Sequence, residues 1–226
     1  MIDFHTHILP NMDDGSDSVE TSLQMLEEAS KQGFDTVIAS SHFYPNVEDI
    51  DSFIKRRDKA YSLLEDKDLN IRVLKGAEVQ FFNGISKNED VRNLCIEGTN
   101  VLLVEMPFNR KFDKSMIDEL VELTRFYKVM IAHFERYLEN NSIDLFKSLY
   151  KNGVVIQVNA GSFNRYFLRR KLIKMIKLGF KVIIASDMHN MTTRPENVFQ
   201  ALERIKKSVD VSTYNQLLKY NENIIG

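Results

Sequence analysis

Five histidines occur in the 226-residue chain, and they are His5, His7, His42, His133 and His189. Imidazole nitrogens and carboxylate oxygens are the donors that zinc, iron and manganese accept. His5-Thr6-His7 places two imidazoles on the same face of an extended strand. His42, His133 and His189 each follow another apolar run: Thr36-Val37-Ile38-Ala39, Val129-Met130-Ile131-Ala132 and Val182-Ile183-Ile184-Ala185. Glu78, Glu105 and Asp187 stand in the same kind of position, after Ile71 to Leu74, Val101 to Val104 and the last of those runs. Such a set is suited to hydrolysis at a multinuclear metal centre.

The elements that must position these groups are legible in the periodicity. The runs of β-branched and aliphatic residues predict strands, and helical spacing of apolar residues fills the intervals. Helices are predicted over 18–32, 49–64, 115–127, 144–151, 168–178, from Pro195 to about 207, and 213–219. Gly33, Gly153 and Gly179 suit helix stops, and Pro195 suits the first position of a helix. Continuous apolar strands alternating with helices mean a parallel sheet covered on both faces. About seven such units favour a closed or nearly closed β/α barrel, and one domain over 1–226. In that fold the C-terminal strand ends converge on one face. If roughly a fifth of positions lie at such ends, five histidines all falling there by chance is on the order of a few in ten thousand.

Glu78 and Glu105 sit beside buried strands, where an unpaired carboxylate is costly; either a metal or a neighbouring cation must compensate it. In Asp13-Asp14-Gly15, Asp14 is read as a ligand and Asp13 as a helix cap or as an outer partner of a ligand. Arg136 and Arg194 follow His133 and His189 closely, and a guanidinium beside a metal cluster reads as a phosphate clamp. Cys95, the single cysteine, excludes an intramolecular disulfide and reads as a small buried hydrophobe. The net charge of -2 gives no sign of nucleic acid, and Lys and Arg read as dispersed among Asp and Glu. No signal peptide and no apolar run of membrane-spanning length is seen, so a cytoplasmic protein with no direct membrane insertion is expected.

The opening Asp3-Phe4-His5-Thr6-His7-Ile8-Leu9-Pro10 with Asp13-Asp14-Gly15 resembles the polymerase and histidinol phosphatase (PHP) superfamily. Ser41-His42, Gly76-Ala77-Glu78-Val79, Val104-Glu105-Met106, His133-Phe134-Glu135-Arg136-Tyr137 and Ser186-Asp187-Met188-His189-Asn190 are similar, in order, to the bacterial tyrosine-protein phosphatases of the CpsB/YwqE type. The resemblance implies a distorted (β/α)7 TIM-like barrel (the PHP fold) with three divalent metal ions, manganese before iron or zinc. One ion would take His5, His7, Glu78 and Asp187; a second Glu78, Glu105 and His133; a third Asp14, His42 and His189. Arg136 and Arg194 match the phosphate-binding arginines. It further implies a phosphotyrosine protein as substrate, the tail of a bacterial tyrosine kinase, in control of capsule or exopolysaccharide synthesis.

Three divalent ions and two arginines against four carboxylates leave the site positive, which favours a phosphomonoester dianion. Metal-bound hydroxide would attack phosphorus in line, with His42 or water assisting the leaving group. Tyr44, Phe81, Phe82 and Phe108, each just past a metal-binding strand end, are placed to line the mouth against a phenyl ring; Arg110 and Lys111 are candidates to attract an acidic tail. The alternative with the same metals is a histidinol-phosphate phosphatase. A deaminase or lactonase of the amidohydrolase type would want further histidines where Val158-Asn159-Ala160-Gly161 stands. A degenerate domain that only binds a polymerase does not fit an intact ligand set.

Overall fold

The computed structural model describes residues 1–108 and 110–225. Its strands are β1 (Ile2–Thr6), β2 (Thr36–Ala39), β3 (His42–Phe43), β4 (Arg72–Lys75), β5 (Glu78–Gln80), β6 (Val101–Glu105), β7 (Lys128–Ile131), β8 (Val155–Asn159) and β9 (Val182–Ala185). Between them run α1 (Val19–Lys31), α2 (Ile50–Glu65), α3 (Lys114–Leu123), α4 (Ile143–Lys151), α5 (Tyr166–Lys177), α6 (Val198–Lys206) and α7 (Val211–Glu222). Every pairing is parallel, in one sheet of order β1-β2-β4 and a second of order β3-β5-β6-β7-β8-β9. β2 with β3, and β4 with β5, are interrupted staves, so seven staves ring the core. The two sheets do not merge into one ladder. The ring is drawn together past the strand ends, where Asp187 N–H donates to His5 O at 2.8 Å and His7 N–H to Met188 O at 2.8 Å. This is the expected β/α barrel in distorted form.

Two apolar layers follow from strand alternation. Val37, Leu102, Val104, Ile131, Val158 and Ile184 point outward under the helices. Phe4, Ile38, Leu74, Leu103, Met130 and Ile183 point inward and plug the barrel below the functional end. A side chain of this size, fully buried, contributes about 1.5–3 kcal/mol. Helix ends are specified locally. Ser18, Asp49, Asp113, Ser142 and Asp210 accept a backbone N–H of the first turn. Gly33, Gly153 and Gly179 take left-handed φ at helix ends, at the three stops read from sequence.

Four expectations change. Glu78 does not end a strand; it opens β5 after the chain steps across at Gly76, where a Cβ would sit 3.0 Å from the Ile38 side chain. Pro195 does not open a helix. α6 starts at Val198, whose N–H is taken by Glu196 Oε1 at 2.7 Å, while Pro195 stays in the turn that presents Arg194. Phe81 is buried in the outer apolar layer and Phe82 packs against it, so neither lines the mouth. Lys and Arg are not evenly dispersed: no Asp or Glu lies between Asp144 and Asp187, a stretch that includes all of α5. Cys95 is buried as expected, and burial pushes its thiol up to about 12. No helix among the described residues is long and apolar enough to cross a membrane.

Candidate metal centre

A β-bulge builds the first corner of the site. Asp3 pairs with Val37 and Thr6 with Ala39, so one extra residue lies on β1. Asp3 and Thr6 therefore share the outward face of their partners, and Phe4 and His5 both turn inward. Phe4 completes the apolar plug and His5 enters the polar layer above it. The next inward residue, His7, brings its Nε2 to 3.1 Å from His5 Nε2.

The remaining groups arrive from the other staves. Glu78 Oε2 lies 3.1 Å from His5 Nε2, 3.3 Å from His7 Nε2 and 3.0 Å from His42 Nδ1. Its other oxygen lies 2.7 Å from His133 Nε2, which is also 3.3 Å from Glu105 Oε1. Asp14 Oδ1 stands 3.4 Å from His42 Nε2 and 3.3 Å from His189 Nε2. Asp187 Oδ1 faces His5 and His7 at 3.4 and 3.5 Å. All nine residues singled out as ligands thus meet at one end of the barrel. Three groups have donor atoms close enough to share an ion: His7, Asp14, His42 and His189; His5, His7 and Asp187; and His42, Glu78 and Glu105.

The imidazoles are aimed. His5 Nδ1 is 3.1 Å from Gln157 Oε1, His7 Nδ1 is 2.7 Å from Asp13 Oδ2, and His189 Nδ1 is 3.0 Å from the Asp187 carbonyl. Each of those partners is an acceptor, so each Nδ1 carries a proton, and in the neutral ring it is Nε2 that presents a lone pair inward. Asp13 therefore supports His7 rather than capping α1, whose cap is Ser18. It also accepts the N–H groups of His42 and Gly15, and a Cβ on Gly15 would collide with His7.

Gln157 and Asn159, not singled out in the sequence, form the floor. Gln157 Oε1 accepts the His133 N–H at 2.6 Å; its amide donates to Asn159 Oδ1, and Asn159 Nδ2 donates to Asp187 Oδ2. His133 and Asp187 both hold left-handed φ, 31° and 55°. Non-glycine residues in that region are uncommon and cluster at functional sites.

Electrostatics match a cavity built for cations. Burial would raise the Glu78 carboxyl, but the charges of His5 and His133 outweigh it and hold Glu78 well below the usual range. Burial would lower His133, but Glu78 and Glu105 raise it to about 9. His189 falls to about 4 through burial and the charge on His7. Asp187 Oδ1 and His189 Nε2 are buried with no hydrogen-bond partner among the described residues. Orphaned buried donor atoms beside further carboxylates and imidazoles form a set that a cation would satisfy, so these residues fit divalent metal ions.

Both arginines reach the cluster. Arg194 Nη2 lies 2.7 Å and Arg136 Nη2 3.4 Å from Asp187 Oδ2, and each guanidinium is about one-third exposed. Beside them opens a cleft of about 730 Å³ that includes Phe108, Arg136, Asp187 and Arg194. Tyr44 stacks on His42, with ring centroids 5.1 Å apart, in a pocket that also includes Asp13 and Asp14. The Tyr44–Val47 segment is a turn leading to α2, where Arg56 ties Glu48 to the Met12 carbonyl and so braces the loop bearing Asp13 and Asp14. Arg110 pairs with Asp113 on the surface.

The family model for capsular polysaccharide synthesis, CpsB/CapC, matches residues 1–225. The tyrosine-protein phosphatase YwqE of Bacillus subtilis is 29% identical over 216 residues, 92% of this chain and 84% of its own. A putative tyrosine-protein phosphatase CapC of Staphylococcus aureus is 30% identical over 238 residues, 99% of this chain and 89% of its own. Among solved structures, one from the work on YwqE of Bacillus subtilis and CpsB of Streptococcus pneumoniae, described as unique metal-dependent tyrosine phosphatases, superposes with a TM-score of 0.85 at 27% identity. It is matched over 100% of this chain and 94% of that one. The phosphotriesterase of Mycobacterium tuberculosis, at 11% identity and a TM-score of 0.57, covering 99% of this chain and 93% of its own, shares the fold alone. The chain belongs to the CpsB/CapC family of capsular polysaccharide synthesis proteins.

Proposed function

We propose that the chain is a cytoplasmic metal-dependent protein-tyrosine phosphatase, a phosphoric monoester hydrolase acting on the phosphorylated tail of a bacterial tyrosine kinase in capsule or exopolysaccharide control. The observation that carries the reading is the set of inward-facing imidazole nitrogens and carboxylates backed by two arginines at a cleft. The names of the relatives support the phosphotyrosine part. Three divalent ions are proposed, manganese before iron or zinc. His5, His7 and Asp187 serve one, His133, Glu105 and Glu78 a second, and His42, Asp14 and His189 a third. The two oxygens of Glu78 face different histidines, which suits a bridging ligand.

Bound ions supply Lewis acidity at the phosphoryl oxygens and acidify the attacking water. The chain's own residues do the rest. Gln157, Asp13 and the Asp187 carbonyl fix the imidazole tautomers. Arg136 and Arg194 offer paired donors to phosphoryl oxygens. Tyr44, stacked on His42, and Phe108, in the cleft with the arginines, are the aromatics offered to the substrate ring, where each favourable contact is worth about 0.5–1.5 kcal/mol. The departing phenolate leaves readily because its conjugate acid has a pKa of about 10, so no strong proton donor is required, and His42, with Nε2 toward Asp14 and Nδ1 toward Glu78, serves as a ligand.

The test is elemental analysis of the purified protein, with kcat/KM for phosphotyrosine peptide, phosphoserine peptide and histidinol phosphate under one metal condition. About three ions per chain and a preference for phosphotyrosine are expected. At most one ion per chain sinks the trinuclear reading, and best turnover of histidinol phosphate replaces the substrate. Separately, Asp13→Asn removes the negative charge beside His7 and leaves one acceptor oxygen where two now serve His7, His42 and Gly15. It should weaken metal affinity by about ten- to hundredfold, read by competition with a chelator; unchanged affinity would reduce Asp13 to a loop tether.

A further inference from the structure

The basic flank of the cleft is not used by the reaction described above. Arg165, Tyr166, Phe167 and Lys171, at the head of α5, line the same cleft as Arg136 and Arg194. Farther along α5, Arg169, Arg170, Lys174 and Lys177 line a second, shallower pocket of about 330 Å³. No Asp or Glu lies between Asp144 and Asp187 to offset them in sequence. Nor is there an offset in space. Several surface cations elsewhere sit beside a carboxylate, as in Arg110–Asp113, Lys114–Asp118 and Lys206–Glu203. Among the described residues, none of the α5 cations has a carboxylate oxygen within 4.0 Å.

We propose that this face of α5 is a docking track for acidic side chains flanking the phosphotyrosine, so that the enzyme selects phosphotyrosine in acidic sequence. The inference rests on the phosphotyrosine reading and adds the peptide chemistry. The track starts at the site, because Arg165 and Lys171 line the cleft and the cations from Arg169 to Lys177 follow on the same helix. Its length fits a peptide: the 12 residues of α5 span about 18 Å, the reach of about five or six extended residues. Tyr166 and Phe167 are 56% and 77% exposed at the junction. The guanidinium carbons of Arg169 and Arg170 each lie 5.8 Å from the Tyr166 ring, which holds that ring in place. Glu139 is the exposed acid on the rim; Glu135, also in the lining, is buried and bonded to Ser162 and Asn159. An anionic bilayer is the poorer occupant, because a flat surface laid on the head of α5 would cover the cleft that substrate must enter.

The test uses metal-loaded protein and phosphotyrosine peptides of one length, with either acidic or neutral residues at the flanking positions. With three or more exposed charge contacts, the acidic peptide should be favoured about tenfold in kcat/KM. The ratio should fall to near one in about 1 M salt, where the screening length is about 3 Å. It should also fall in R170E/K174E/K177E, and partly in K171A. Equal kcat/KM for both peptides in wild type overturns the inference alone, as does a preference that survives both salt and the variants. Equal kcat/KM together with co-sedimentation of wild type, but not the triple variant, with phosphatidylserine vesicles assigns the face to a membrane and overturns the inference. Turnover of histidinol phosphate with neither peptide hydrolysed overturns the phosphatase reading and the inference with it.

Discussion

Glu78→Gln is expected to remove metal and activity together, with kcat lowered at least about a thousandfold, equivalent to about 4 kcal/mol of barrier. Glu78 is the hub of the cluster: it is fully buried, and its oxygens approach His5, His7, His42 and His133. Among the described residues no other carboxylate touches as many imidazoles. A glutamine keeps the volume but halves the acceptor count, removes the negative charge that a cation requires and turns toward the cluster an amide N–H₂ that cannot ligate a metal. Glu78 would serve two of the proposed ions, so metal content should drop by more than one ion per chain. Elemental analysis and circular dichroism, run with the kinetic assay, separate this from unfolding. A folded variant with full metal content and wild-type kcat would remove Glu78 from the centre.

The ligand residues could be found in the sequence because charged and imidazole side chains stand out against apolar strands, and strand ends are visible as the end of each β-branched run. The helix stops were equally plain, since Gly33, Gly153 and Gly179 supply the left-handed turn that other residues resist. What was hidden depends on register or neutrality. The bulge in β1 that turns both Phe4 and His5 inward leaves no mark on a five-residue strand. The step at Gly76 that makes Glu78 the start of β5 depends on how closely Ile38 approaches. Gln157 and Asn159 look like ordinary strand residues because their amides carry no charge, yet they anchor His133, His5 and Asp187. The acid-free stretch around α5 was countable from sequence, but its meaning comes only from its place beside the cleft. Phe81 and Phe82 follow Glu78 closely in sequence, yet strand parity sends Phe81 outward into the helix-covered layer, and Phe82 packs against that layer.

Asp187 joins the two halves of the chemistry. Its Oδ1 faces His5 and His7 on the metal side, and its Oδ2 takes Arg194, Arg136 and Asn159 on the cleft side. The guanidinium groups are therefore held by a residue that is itself fixed by the cluster, and their remaining N–H donors are left for a phosphate. Arg194 also lies 3.6 Å from Asp14 Oδ2, and Arg136 lies 3.8 Å from Glu105 Oε1. Both thus span carboxylates of the proposed ion sites without supplying a metal donor.

Arg136→Ala and Arg194→Ala should accordingly keep their metal and lose turnover. One charge-assisted contact to a phosphoryl oxygen is worth about 1.5–3 kcal/mol, or about ten- to hundredfold in kcat/KM for each single variant. The double variant should lose a thousandfold or more. Lysine at either position should recover only part of the loss, because an ammonium cannot reproduce the paired planar donors. If the contact tightens as charge develops at phosphorus, kcat falls with kcat/KM; if it serves the bound substrate equally, KM rises alone. Inorganic phosphate, as a competitive inhibitor, should weaken in parallel with the KM effect, and that measurement needs no peptide. An arginine whose removal leaves kcat/KM and phosphate inhibition unchanged has no part in the site. One whose removal strips the metals acts on the cluster through Asp187 instead of on the substrate.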